Sequence, residues 1–285
     1  MRLILLLLLT IFSAHAGLIH ATLNIGDNKE ARIKTPRVQS GISGFVIKHF
    51  NDQHSIIIAN AHVDYYDEVT NEAILQFAPY SGLRQNSLPN GTWTPSSGDE
   101  VVLAYGYSRA LLIAPSEEIY YAITSRVQSL HWVHPDMFAT YLSYQGHPTP
   151  LQEDIVGFCT LDSIGLLYFY AQNNLYTMDC KSLQILQITP APFEVKEKKL
   201  PFYTRASDIR AAWWGEGSQP LIEYNYHYMQ LLELNNPARP EINPQVEEAK
   251  KNYWIRYEQI EKEKEDAREK AYSPFNQPVN PAEYL

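Results

Sequence analysis

The sequence predicts an α+β protein: an N-terminal small β-barrel or sandwich, a compact α+β unit, then a charged C-terminal helix and a disordered tail. Three observations carry that prediction. Short apolar runs recur at roughly ten-residue spacing between residues 41 and 113, separated by turn residues, the pattern of a small all-β unit. Beyond Ala114-Pro115 the period mixes, with helix-like and strand-like runs through residue 234. Residues 245–271 hold no Gly or Pro and are dense in charges of both signs, as in a solvent-facing helix.

Residues 1–16 read as a secretory signal peptide. Met1-Arg2 is a cationic start, residues 3–13 are an apolar run, and Ala14-His15-Ala16 is a small-x-small cleavage site. The run falls short of the ~20 apolar residues needed to span a bilayer. The expectation is an exported chain starting at Gly17, in the periplasm, on the outer surface or secreted, with no transmembrane segment after signal removal. Residues 17–40 are polar and weakly patterned, and read as an extended lead-in.

Strands are expected at 44–50, 55–63, 72–77 and 101–105, with turn residues at Asn51-Asp52, 67–71, Ser81-Gly82 and Pro89-Asn90-Gly91-Thr92. They make 41–113 a β-rich domain. Asn90-Gly91-Thr92 also fits a glycosylation sequon, and the turn reading is preferred. In the α+β domain, 114–234, residues 119–127 read as a strand or a short helix. Residues 134–144 read as a helix, with Pro135 and Asp136 suited to its first turn and Gly146 ending it. A second helix is expected at 150–158, a buried strand at 165–171, and a hairpin partner at 175–178 after Asn173-Asn174. Proline and lysine make 189–205 a linker or surface segment. Aromatic content returns in 206–234, and 235–244 breaks the chain again. In the helix at 245–271, Val246, Ala249, Tyr253, Tyr257 and Ile260 form a short apolar stripe that can dock one end. Residues 272–285, with three prolines, are expected to be disordered.

The net charge of −9 repels phosphate backbones and anionic headgroups, so no nucleic-acid or lipid-surface partner is expected. The two cysteines, Cys159 and Cys180, form an even pair in an exported chain, consistent with one disulfide or with two buried thiols. A bond between them would stabilise by roughly 3 kcal/mol.

Chemistry is sparse. There is no nucleophile elbow, phosphate-cradling glycine loop, HExxH helix or paired CxxC. His131, His134 and Asp136 have metal-ligand types, but Pro135 constrains them and they read as structural. Asp136, Glu153 and Asp154 sit where helix first turns favour acids. Cys159 with His147 resembles a nucleophile pair that a disulfide would forbid. No catalytic residue, metal or cofactor is therefore expected. On the charged helix, Lys262, Lys264 and Lys270 stand one turn from Glu261, Glu265, Asp266 and Glu269. That places ammonium and carboxylate groups about 5–6 Å apart, the charge pattern of a lysine-like ligand for an aromatic-walled receptor pocket. The alternative is a solvated helix held by its own ion pairs.

Several ordered blocks carry a resemblance. They are SGFVIKHF at 43–50 with HSIIIA at 54–59, GDEVVL at 98–103 with RALLIAP at 109–115, HPDMFA at 134–139, GHPTP at 146–150, and Cys180-Lys181-Ser182. Together, over about 40–235, they resemble the plasminogen-binding protein PgbA family of Gram-negative bacteria. The resemblance implies a non-enzymatic, secreted or surface-exposed protein that captures host plasminogen through lysines engaging kringle domains. Kringles prefer a terminal lysine, and the sequence ends Ala282-Glu283-Tyr284-Leu285. The expected contacts are therefore the internal Lys262, Lys264 and Lys270. The alternative function is a periplasmic or envelope structural role for the body, with plasminogen binding incidental or absent.

Overall fold

The computed structural model describes residues 17–27, 29–80 and 93–272. The expected signal peptide, the turn at Asn90-Gly91-Thr92 and the chain beyond Tyr272 lie outside them. Among the described residues no helix is long and apolar enough to cross a membrane.

Six antiparallel strands close into a barrel: β1 (Ile19–Ile25), β2 (Ala31–Lys34), β3 (Ser43–Asn51), β4 (His54–Asp67), β5 (Glu72–Pro79) and β6 (Glu100–Leu103). Their order is β1-β2-β5-β4-β3-β6, and β1 pairs with β6 to shut the ring, so no sheet edge is left open. Leu23, Ile33, Val46, Val63, Leu75, Val101 and Leu103 fill the interior.

The structure moves both ends of the β-rich region. Residues 17–40 are not a lead-in, because they contain β1 and β2. In β1 the apolar Ile19, Ala21, Leu23 and Ile25 turn to the core while His20, Thr22 and Asn24 are exposed, the period of two that a half-buried strand requires. At the other end the barrel stops at Leu103, and the run at 109–113 belongs to a second sheet. That run does not alternate: residues 110–113 are all fully buried, as in a central strand covered on both faces.

The second sheet contains β7 (Arg109–Ile113), β8 (His131–Val133), β9 (Leu166–Ala171), β10 (Asn174–Asp179) and β11 (Ile185–Pro190), in the order β11-β10-β9-β7-β8. β7 runs parallel to both β8 and β9, and β9, β10 and β11 form an antiparallel meander. The helices are α1 (Glu117–Thr124), α2 (Pro135–Gln145), α3 (Gln152–Leu161), α4 (Tyr224–Asn235) and α5 (Asn243–Tyr272). The run at 119–127 is thus helical as far as Thr124, in a helix capped by the Ser116 side chain accepting from Ile119 N.

Alternate residues of the second sheet serve two cores. Ala110, Leu112, Leu166, Tyr168 and Tyr170 pack with the barrel and α1. Leu111, Ile113, Leu167, Phe169 and Ala171 pack under α2, α3, α4 and the start of α5. The β7-to-β8 and β8-to-β9 crossovers therefore lie on opposite faces. The helices that follow the adjacent parallel strands β7 and β8 lie on opposite faces, so the carboxyl ends of these strands form the point where the winding reverses, the place where open α/β sheets usually leave a ligand crevice. Here the chain covers it. Lys199 N donates to Pro115 O and Tyr203 N to Ala114 O, both at 2.7 Å, and the Tyr224 hydroxyl donates to Ile113 O at 3.1 Å.

One buried carboxylate joins the barrel to the sheet. Asp179, at the end of β10, accepts from Ser43 N at 2.9 Å, Ser43 Oγ at 2.7 Å and the Tyr107 hydroxyl at 2.8 Å. Its other oxygen accepts from Lys181 N at 2.9 Å and Ser182 N at 2.8 Å. Next to it, Cys180 is bonded to Cys159 of α3.

Candidate functional site

The helix α5 begins as part of the body. Ile242, Val246 and Ala249 are buried in the lower core with Tyr228, Met229 and Leu232 of α4. Their spacing follows one helical face. Further along, Tyr253 lies 4.8 Å ring to ring from Tyr226 at the start of α4, so the two helices run antiparallel. Past that contact the stripe runs out: Tyr257 is already exposed and Ile260 is half-buried. α5 then continues without a neighbour among the described residues.

Lys262, Lys264 and Lys270 are all exposed on this projecting part. Lys264 folds onto Glu261 with Nζ 2.8 Å from the carboxylate oxygen. Lys262 and Lys270 make no ion pair among the described residues. The i,i+4 partners Glu258–Lys262 and Asp266–Lys270 thus stand apart, while an i,i+3 pair is closed. Both spacings bring side chains within reach, and exposed pairs gain too little for either to be fixed by energy.

Several of the chemistry-bearing residues of the body make structural contacts. The His134 ring caps α2, its Nδ1 accepting from Asp136 N at 3.2 Å, and packs 5.3 Å from the Tyr120 ring. Asp136 accepts from Thr204 Oγ1, Arg205 N and Arg205 Nε, each at 2.7 Å. His131 is exposed on β8. Among the described residues no group of three His, Cys, Asp or Glu side chains is placed to hold a metal. Asp154 accepts from Leu151 N at 2.8 Å at the start of α3 and pairs with His147 at 2.9 Å. Asp136 and Asp154 thus serve two different helix starts. The disulfide removes Cys159 as a nucleophile.

The Asp136 cluster sets an acid dependence. Burial alone pushes this carboxyl up, but the donors from Arg205 and Thr204, helped by His134, outweigh it and hold its pKa at about 2 against an ordinary 3.8. A depressed carboxylate pKa stabilises the fold above its unfolded value and loses that contribution as pH falls from 3.8 through about 2. Asp136→Asn is expected to lower neutral-pH stability by about 2 kcal/mol and to flatten the stability loss in that acid window. Urea unfolding at a series of pH values measures both.

Sequence reading overlooks Asp179 and Lys181. Asp179 has no motif around it, and its five donors come together only when the turn after β10 meets Ser43 of β3 and Tyr107. Lys181 is part of the Cys180-Lys181-Ser182 block, which marked it without indicating its surroundings.

The fold and its surfaces define an α+β protein of the barrel-plus-open-sheet class that presents one charged helix to solvent. Residues 19–232 match the family model described as the plasminogen-binding protein pgbA N-terminal region. The chain belongs to that family. Two curated proteins from two strains of Helicobacter pylori, each named plasminogen-binding protein PgbA, are 26% identical to it over 203 residues. The aligned region covers 70% of this chain and 44% of each of theirs, so the chain spans less than half the length of these relatives. No solved structure matches. The family match ends at Leu232, within α4, so α5 and its lysines lie beyond it.

Proposed function

We propose that this chain is a non-enzymatic exported protein that binds host plasminogen, with Lys262, Lys264 and Lys270 engaging kringle domains. The observation that carries the reading is the family match over residues 19–232, whose relatives are named for plasminogen binding. The projecting end of α5 supports the choice of lysines, since it offers exposed ammonium groups beside carboxylates, clear of the body. Delivery to the outer surface or the medium follows from the same reading, because a host protein must be met there.

The test is plasminogen binding by the mature chain and by the triple variant K262Q/K264Q/K270Q, each with and without a free lysine analogue. Loss of binding in the variant and under competition is the expected result. Binding that survives both places the contact on the body. No binding at all favours the second reading, an envelope structural role.

A further inference from the structure

Phe45 and Val102 are register partners on β3 and β6. Both are almost wholly buried, at 7% and 6% exposure, yet neither belongs to the barrel core or to the core beneath the helices. They point outward from the barrel and form the floor of a groove of about 600 Å³ between its outer wall and the end of α3. Ile47 extends the floor, the half-buried Ile57 lines the rim, and Tyr80 and Tyr105 stand as walls. The Phe45 ring meets Tyr80 edge-on at 5.7 Å and Tyr105 at 5.3 Å. An outward barrel face is normally polar, whereas this one is apolar and lies beneath Tyr80, Tyr105 and Lys181.

Among the described residues, Lys181 is the one lysine or arginine that lines this groove. The Lys181 ammonium lies 3.8 Å from the centre of the Phe45 ring and 5.8 Å from that of Tyr105. The turn that carries it is held by Lys181 N on Asp179 at 2.9 Å and by the neighbouring disulfide, so the ammonium is presented on a rigid base. Among the described residues it meets no carboxylate and no hydrogen-bond acceptor. Burial pushes its pKa down to about 8 even though Asp179 acts in the opposite sense. Ring faces attract a cation but offer its three N–H donors no oxygen or nitrogen acceptor. His20, on the rim, is already paired with Glu100 at 2.7 Å.

We infer that this groove binds a small amphiphilic acid, with its carboxylate on the Lys181 ammonium and its apolar body along Phe45 and Val102 between Tyr80 and Tyr105. The volume lies within the roughly 300–1,000 Å³ of small-molecule sites, which are apolar with a few placed polar groups. One ammonium with no arginine beside it suits a monoanionic carboxylate; a phosphate group calls for several convergent donors. The inference is independent of plasminogen binding, because the groove and α5 share no residue.

The test is calorimetric titration of the mature chain with decanoate, decanol and acetate. Decanoate is expected to saturate one site and to bind about ten-fold or more tightly than either control, the worth of a charge-assisted hydrogen bond. Lys181→Met keeps the stem over Phe45 and is expected to weaken decanoate about ten-fold while leaving decanol unchanged. Ile57→Trp fills the groove from its half-exposed rim and is expected to abolish decanoate binding in a chain that melts as the parent does. An absence of saturable decanoate binding, or equal affinity in parent and both variants, overturns the proposal.

Discussion

Asp179→Ala is expected to destabilise the protein by about 3 kcal/mol or more, since each buried donor left without an acceptor costs about 1–3 kcal/mol. The carboxylate is fully buried and takes bonds from Ser43 N, Ser43 Oγ, the Tyr107 hydroxyl, Lys181 N and Ser182 N. Truncation leaves three backbone N–H groups and a phenol that cannot all find new partners. The phenol has few alternatives: burial, and then Asp179 itself, push the Tyr107 pKa well up, so it stays a donor. Two consequences follow. The contact between β3 and the turn after β10 loosens, and Lys181 loses the support of its backbone. Asp179→Asn keeps the shape but turns an amide toward donors, so it is expected to fall between parent and alanine. Urea unfolding at neutral pH measures the series, and a loss below about 1 kcal/mol for alanine would show that water replaces the carboxylate.

Phe138→Ala is expected to cost about 3–5 kcal/mol, the range for deleting a buried ring from a packed core. Phe138 is fully buried on α2. Its ring stacks on Phe202 at 5.4 Å with planes 15° apart and lies 5.1 Å from Phe158 of α3. It thus joins two helices and the segment that covers the ends of β7 and β8. The loss has a local signature besides its size. Amide exchange is expected to speed up first at Lys199 N and Tyr203 N, whose acceptors are Pro115 O and Ala114 O. If those amides stay as protected as the strand interior, the cover is held by something other than Phe138.

The elements with strong local patterns are legible in the sequence, and those whose identity depends on neighbours are not. The apolar runs at 44–50 and 72–77 are β3 and β5, the capped run at 134–144 is α2, and the Gly-free and Pro-free stretch at 245–271 is α5. The barrel was readable as a class, but its first two strands lie where polar residues alternate with apolar ones, a pattern that is easy to pass over beside continuous apolar runs. β7 shows the reverse error. Its unbroken apolar run marks a strand buried on both faces, and only the pairing with β8 and β9 places it in the second sheet. α4 is opaque locally: Tyr224, Tyr228, Met229 and Leu232 are its buried face, and tyrosine favours strands as much as helices in isolation. Of the two proposed surfaces, the α5 lysines are visible as a charge pattern. The groove at Lys181 is not, because β3, β6 and the turn after β10 meet only in the folded chain.

The length of α5 past its last contact has an electrostatic consequence. From Tyr253 to Tyr272 the helix rises about 28 Å at 1.5 Å per residue. The screening length at physiological ionic strength is about 8 Å. The net charge of −9 is spread over the chain, and the part of it on the body is attenuated several-fold before it reaches the far turns of α5. An acidic ligand that the body would repel at close range can therefore meet the last turns of α5 as if they were a free peptide, governed by the few charges within one screening length.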